Sequence, residues 1–252
     1  GVRLKDGSII NAKRCIIANV SPSALLKLTG KFEDKRYTNA LVKFRHAPGT
    51  MMIHLSMDNL PNWKASKELK KFAYVHVAPS LSQMSNTYQQ AIDGILPDRP
   101  VIVVGQPTSV DNSRAPSGKH ILWVQVRMVP GQINGDAAGE IVGTDWSQIK
   151  ELYADRVLDI LEEYAPKIKQ SIITRSVVSP IDLEKDNPNL VFGDQICGSH
   201  HLTQHFIFRP VRGYTDGTTP IHNLYHTGAA IWPGAGTGAG SGFLLGQKLA
   251  GN

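Results

Sequence analysis

Cysteine is nearly absent: the 252 residues contain only Cys15 and Cys197, far apart and without Cys-x-x-Cys spacing. That excludes a disulfide framework and a dithiol redox motif and points to a reducing compartment. Both fall in apolar, strand-like runs, so they are expected as buried thiols rather than nucleophiles. A membrane-spanning run is lacking too. The longest stretch without Asp, Glu, Lys or Arg, residues 217–247, is broken by glycines, prolines and histidines. No signal peptide is present, and the chain opens in mid-pattern with Gly1-Val2-Arg3-Leu4, which reads as a fragment of a longer protein. There is no internal repeat.

Several catalytic signatures are missing as well. Gly240-Ser241-Gly242 lacks the spacing of a nucleophile elbow, and Gly246-Gln247-Lys248 lacks the upstream half of a phosphate loop. His201 and His205 have the i, i+4 spacing of a zinc-protease helix, with His200 beside them. Leu202 stands where the general-base Glu is required, so no metal site is expected.

Charge of either sign is scattered. Lys plus Arg number 27 and Asp plus Glu 21, a net +6. The densest cluster is Lys64, Lys67, Lys70 and Lys71 with Glu68, beside Trp63, Leu69 and Phe72. It reads as a solvated helix face, with peripheral contact on a membrane surface as the alternative. No aromatic-rich basic groove accompanies it, and no nucleic-acid partner is expected.

What is present is an ordinary globular composition, 41% hydrophobic and 19% charged, enough for one large domain or two interleaved ones. Asp6-Gly7 supplies the positive φ a tight hairpin needs. Cys15-Ile16-Ile17-Ala18 reads as a strand covered on both faces. Ser21-Pro22 can open a short helix through Leu28. Strands are predicted at 41–44, 51–57, 72–77, 101–106, 120–128, 172–178 and 191–196, and a short helix at 88–94. His76 falls on a predicted strand face with Phe72 and Tyr74, either as a satisfied core histidine or as a cavity wall. The clearest helix is 145–164, where Ile149, Tyr153, Val157, Ile160, Leu161 and Tyr164 recur at helical spacing behind Asp145, before Pro166. Segment 130–144 reads as a surface loop. The fold class is α+β (α/β): an antiparallel sheet with helices on one face.

The end of the chain differs. Residues 223–230 are strand-like, 231–242 are glycine-rich, and helix formers run from Phe243 to Ala250. A strand, glycine turn and helix in that order bring backbone N–H groups and a helix N-terminus close to an anion. Gly234-Ala235-Gly236-Thr237-Gly238-Ala239 matches the permissive dinucleotide pattern, yet too few residues follow for the acidic ribose ligand expected about 20 positions on. The segment therefore reads as the last strand and helix of a cofactor domain whose first βαβ unit lies elsewhere.

Tyr225-His226-Thr227-Gly228-Ala229 followed by Pro233-Gly234-Ala235-Gly236 closely resembles the C-terminal flavin motif of phytoene desaturases and phytoene-dehydrogenase-like proteins. Gly1-Val2-Arg3-Leu4, Asp6-Gly7 and Ala18-Asn19-Val20-Ser21-Pro22 resemble the family's strand pair and its turn re-entering the flavin domain. Phe208-Arg209-Pro210 resembles its Arg-Pro step, and Tyr153-Ala154-Asp155-Arg156-Val157 with Tyr164-Ala165-Pro166 is similar to the long helix of its mitochondrial, pyridine nucleotide-disulfide oxidoreductase-like branch. Trp232 stands where the family often has His, and Val20-Ser21 replaces Ala-Asp.

The resemblance implies the C-terminal part of an FAD-dependent oxidoreductase. Residues 1–22 and 220–252 would be the remnant of a Rossmann-like FAD domain and 23–219 the substrate domain. It places Asn19, Gly228, Ala229, Gly236, Thr237 and Gly238 at FAD and His205, Arg209 and Trp232 at the substrate. It implies hydride transfer from an apolar, polyene or lipid-like substrate to flavin, with no catalytic acid or base assigned, in the full-length protein rather than the isolated chain. The alternatives are a redox-neutral flavin isomerase, a non-enzymatic binding module of this fold, and an FAD-free fragment. Homo-oligomerisation and a cytoplasmic or mitochondrial-matrix location are the accompanying expectations.

Overall fold

The computed structural model describes residues 1–237 and 239–251, which divide into two compact units. One comprises Gly1–Ala47, Pro188–Val191 and the segment from Ile196 onward; the other comprises Pro48–Asn187 and Phe192–Gln195. The first therefore extends beyond the 1–22 and 220–252 marked off by the sequence.

The second unit is built on a five-stranded antiparallel sheet. Its strands, in spatial order, are Ile172–Val178, Gly49–Met57, His120–Val129, Val101–Gly105 and Tyr74–Val77. The register lines up Val75, Val104, Val124, Ile53 and Val177 in one row, and all five are buried. The helix Trp146–Tyr164 is packed against this core through Ile149, Tyr153, Val157, Ile160 and Leu161. Asp145 caps it, accepting from the Ser147 N–H at 2.8 Å. Polar tips inside the core find carbonyls: Trp146 Nε1 donates to Pro130 O at 2.9 Å and Tyr153 Oη to Pro97 O at 3.0 Å. Both faces of the sheet are not alike. Tyr74, Trp123 and His54, one residue out of phase with the core row, lie on the opposite side, and Tyr74 and His54 are exposed.

The first unit pairs two strands from opposite ends of the chain. Ile16–Asn19 and Leu224–Thr227 run parallel, with Leu224 opposite Ile16 and Thr227 opposite Asn19. The helices Pro22–Thr29 and Lys35–Val42, capped by Ser21 and Asp34, supply Leu25, Tyr37 and Leu41 to a small core with Phe32, Val211 and Leu224. Gly240–Ala250 forms the final helix.

Several expectations are corrected. Residues 41–44 are the end of the helix Lys35–Val42 and its cap, because Asp34 starts a helix upstream that the apolar triplet Leu41, Val42 and Phe44 obscured. Residues 191–196 contain a short 3-10 turn with Phe192 at φ 55 and Gly193 at φ 76, which no strand accommodates. The helix predicted at 88–94 runs Leu81–Ile92, begun by Ser80. Ile16–Asn19 alternates rather than being covered on both faces, with Ile17 exposed. Both cysteines are half-buried, not buried. His76 is exposed on the edge strand and is no core histidine. No helix among the described residues is long and apolar enough to cross a membrane.

The segment 130–144 is no simple surface loop. Gly135–Asp136 pairs with Ile95–Leu96, and the Asp136 carboxylate, 2% exposed, receives both Arg156 guanidinium nitrogens at 2.5 and 2.6 Å. Burial raises its pKa, but Arg156 and the Glu140 and Ile141 N–H groups outweigh that and hold it at about 2. A carboxyl with a depressed folded pKa contributes stability above its unfolded pKa of about 3.9 that disappears as pH falls toward 2. Asp136→Ala leaves the buried Arg156 with only the exposed Glu140, at 3.3 Å, and is expected to cost up to about 3 kcal/mol in urea unfolding at pH 7, and to flatten the acid limb of stability between about pH 4 and pH 2.

Candidate functional site

The strand Leu224–Thr227 ends at Thr227, and the chain then turns at Gly228 with φ +100. Only glycine serves there. A Cβ at Gly228 would lie 2.1 Å from Asn19 Oδ1, so the bare backbone makes room for the Asn19 side chain, which the parallel register has placed opposite Thr227.

Ser241, in the first turn of the helix Gly240–Ala250, ties that turn down. Its Oγ accepts from the Gly228 N–H at 3.1 Å, donates to the Gly228 carbonyl at 2.9 Å and meets Thr227 Oγ1 at 3.3 Å. Thr237 Oγ1 donates to Gly234 O at 2.7 Å, closing the second half of the turn. Ala239, at the N-cap, is left-handed at φ 64, and among the described residues no side chain caps the helix. Its first N–H groups are thus left for solvent or an anion.

These elements enclose a cavity of about 420 Å³ whose lining includes Asn19, Gly228, Ala229, Gly236, Thr237 and Ser241. The volume is that of a small-ligand site. No charged side chain is among the lining residues described. Gly236, at φ +78, has open space where a Cβ would be, so the backbone there can be approached closely. The structure thus brings Asn19, Gly228, Ala229, Gly236 and Thr237 to one place; Gly238 lies outside the described residues.

Of the residues assigned to substrate, His205 and Trp232 meet, with ring centroids 5.4 Å apart and edge-on, and Phe206 lies 5.2 Å from Trp232. His205 Nδ1 is buried without a hydrogen-bond partner among the described residues. Arg209 is placed differently. It is 0% exposed, and its guanidinium donates to the carbonyls of Cys197 (2.9 Å), Ser199 (3.1 Å) and Ala229 (2.8 Å). That fork braces the loop before the last strand against the glycine turn.

Sequence reading missed two contributors. Ser241 was legible only as a helix-start residue, although a serine between two glycines is the signal that a close backbone bond is made there. His226 is buried, and its Nε2 donates to the Val20 carbonyl at 2.7 Å, joining the two strand ends. Burial lowers its pKa, which keeps the ring neutral, only partly offset by the Val20 bond. The contact is between residues 206 positions apart, which spacing does not reveal.

Gly228→Ala is expected to destabilise the chain by about 1–3 kcal/mol through its left-handed backbone alone, with the Asn19 clash added. The double variant Asn19→Gly with Gly228→Ala, in urea unfolding, is then less destabilised than the sum of the singles. Strict additivity shows that the two residues do not meet.

No protein-family model matches the chain. It is 27% identical over 247 residues to pyridine nucleotide-disulfide oxidoreductase domain-containing protein 2 of Mus musculus, covering 94% of this chain and 41% of that protein. It is 32% identical over 155 residues to the lycopene-forming phytoene desaturase of Pseudescherichia vulneris, covering 59% of this chain and 29% of that enzyme. Among solved structures, an oxidoreductase from Methanosarcina mazei has the same fold, with a TM-score of 0.52 at 14% identity over 98% of this chain and 44% of that one. The chain spans less than half the length of these relatives. At this low identity the chain is similar to pyridine nucleotide-disulfide oxidoreductase domain proteins and to phytoene desaturases, and the partial coverage fits a C-terminal portion of such proteins.

Proposed function

We propose that this chain carries the C-terminal half-site of an FAD-dependent oxidoreductase that takes hydride from an apolar substrate. One observation carries the reading: a cavity with no charged side chain among its described lining residues, at a helix start that no described side chain caps, walled by backbone-rich residues from both ends of the chain. An anionic, diphosphate-bearing ligand fits such a cradle, because exposed N–H groups and the helix dipole favour negative charge and no lining carboxylate opposes it. FAD is the ligand of this kind that the family resemblance implies, and when bound it supplies the hydride acceptor.

In this reading Gly228, Ala229, Gly236 and Thr237 hold the cofactor through backbone and hydroxyl groups, and Asn19 fixes the neighbouring strand end. Arg209 keeps the Ala229 carbonyl in place from behind. His205 and Trp232 give an aromatic wall on which an apolar substrate can rest. Hydride transfer to the cofactor needs no acid or base from this chain. Turnover belongs to the longer arrangement of the relatives, and the isolated chain is expected to bind without turning over.

Titration of the purified chain with FAD, followed by gel filtration and absorption, tests this. The expected result is flavin co-eluting with protein. Gly236→Asp places a carboxylate at the cradle, in a left-handed position that Asp tolerates, and is expected to weaken FAD at least about tenfold. Riboflavin, which has no diphosphate, is expected to bind both forms alike. Absence of FAD binding, or equal affinity of the variant, overturns the reading.

A further inference from the structure

The arginines of the sheet unit are not held alike. Arg99, Arg156 and Arg175 each face carboxylates, and Arg114 stands on an exposed 3-10 turn. Arg127 lies on the central strand His120–Val129, is exposed, and has no ion pair among the described residues.

Neutral amides orient it instead. Its Nε donates to Gln125 Oε1 at 2.9 Å, and Gln125 Nε2 donates to Gln195 Oε1 at 2.7 Å. No hydrogen bond of Nη1 or Nη2 is found among the described residues, so the guanidinium keeps a planar pair of donors and an uncompensated charge. The backbone is shaped at the same point. The register slips between Gly49 and Thr50, which pair with Val129 and Arg127, and leaves Met128 bulged from the ladder at φ 60. A bulge re-aims the side chain beside it, and a left-handed Met is strained in a strand.

Arg127, Gln125 and Trp123 point away from the sheet's core, since the residues that alternate with them, Leu122, Val124 and Val126, are buried in it. On that side Trp123 lies over Gly105, where a Cβ would come within 2.2 Å of the indole, and Tyr74 meets it with ring centroids 5.2 Å apart. Met52 is opposite Gln125. None of the five strands contains an Asp or Glu. One oriented cation therefore stands four residues, about 13 Å, along a strand from an aromatic pair.

We infer that the open face of the sheet binds a long-chain carboxylate, its head on Arg127 and its chain over Trp123 and Tyr74. Two carboxylate oxygens match the Nη1 and Nη2 pair end-on, the side-on approach being taken by Gln125. A phosphate dianion would find one cation for two charges, and a hydrocarbon would leave the guanidinium without a counter-charge. The inference names the class of the apolar substrate in the proposed function and rests on that reading only in calling the ligand a substrate. Binding itself is measured without FAD, so failure of the carboxylate to bind and failure of flavin to bind are separate results.

Isothermal titration of the intact chain with hexadecanoate, hexadecan-1-ol and hexadecyl phosphate tests it. Hexadecanoate is expected to bind at least about tenfold more tightly than the alcohol, and more tightly than the phosphate. Arg127→Gln is expected to remove that preference, weakening hexadecanoate at least about tenfold with the alcohol unchanged, and Arg127→Lys to restore it only in part. Gln125→Glu sets a carboxylate against the same guanidinium and is expected to weaken hexadecanoate similarly. Arg114→Gln, with the same change of net charge, is expected to leave binding intact, and FAD titration of Arg127→Gln to match the parent chain. Equal affinity for acid and alcohol, tighter binding of the phosphate, no binding of hexadecanoate, an unaltered Arg127→Gln or an equal loss in Arg114→Gln would each overturn the inference.

Discussion

Pairing of Ile16–Asn19 with Leu224–Thr227 is the constraint on which the glycine-rich site depends. Parallel strands cannot be joined by a tight turn, and here the connection is most of the chain. Closing it costs entropy that the pair's few hydrogen bonds alone do not offset. The balance comes from side chains: Leu25, Tyr37, Leu41 and Val211 are buried around Leu224, and His226 reaches across to Val20. Once the pair is made, its register decides everything at its end. Thr227 is opposite Asn19, so Asn19 meets Gly228, and the turn has to be glycine.

The same economy governs the rest of the turn. One hydroxyl, Ser241, satisfies both the N–H and the carbonyl of Gly228, and one guanidinium, Arg209, collects carbonyls from the preceding loop and from Ala229. Polar groups that would otherwise be left bare are spent on shaping the backbone. Among the described residues no side chain caps the N–H groups behind Ala239. The site is thus a hollow in the backbone with little side-chain chemistry of its own, which agrees with a cofactor doing the chemistry.

The sheet unit solves a different problem. Its core is local and apolar: alternate residues of five antiparallel strands face Ile149, Tyr153, Val157 and Leu161 of one helix. Its polar interior is limited to groups with partners, such as Asp136 with Arg156, and Gln106 with Trp63 and the carbonyls of Leu69 and Phe72. Gln106 gives one buried side chain an influence on the surface, since it fixes the turn on which the lysines stand.

The sequence by itself determined the elements whose signal is local. Helical spacing from Ile149 to Leu161 behind Asp145, alternation in 51–57 and 120–128, the Asp6-Gly7 hairpin and the strand, glycine turn and helix at the end of the chain all follow from periodicity and capping, which act over a few residues. It misread 41–44 and 191–196, where short apolar runs carry no period and a cap or a left-handed residue decides. Only the tertiary structure decided which strands pair, that Asn19 faces Gly228, that Arg209 is buried under the turn, and that Gln106 reaches Trp63 and the carbonyls of Leu69 and Phe72. Those facts rest on contacts between distant positions, and a contact is specified by the packing of both partners at once, which neither segment encodes alone.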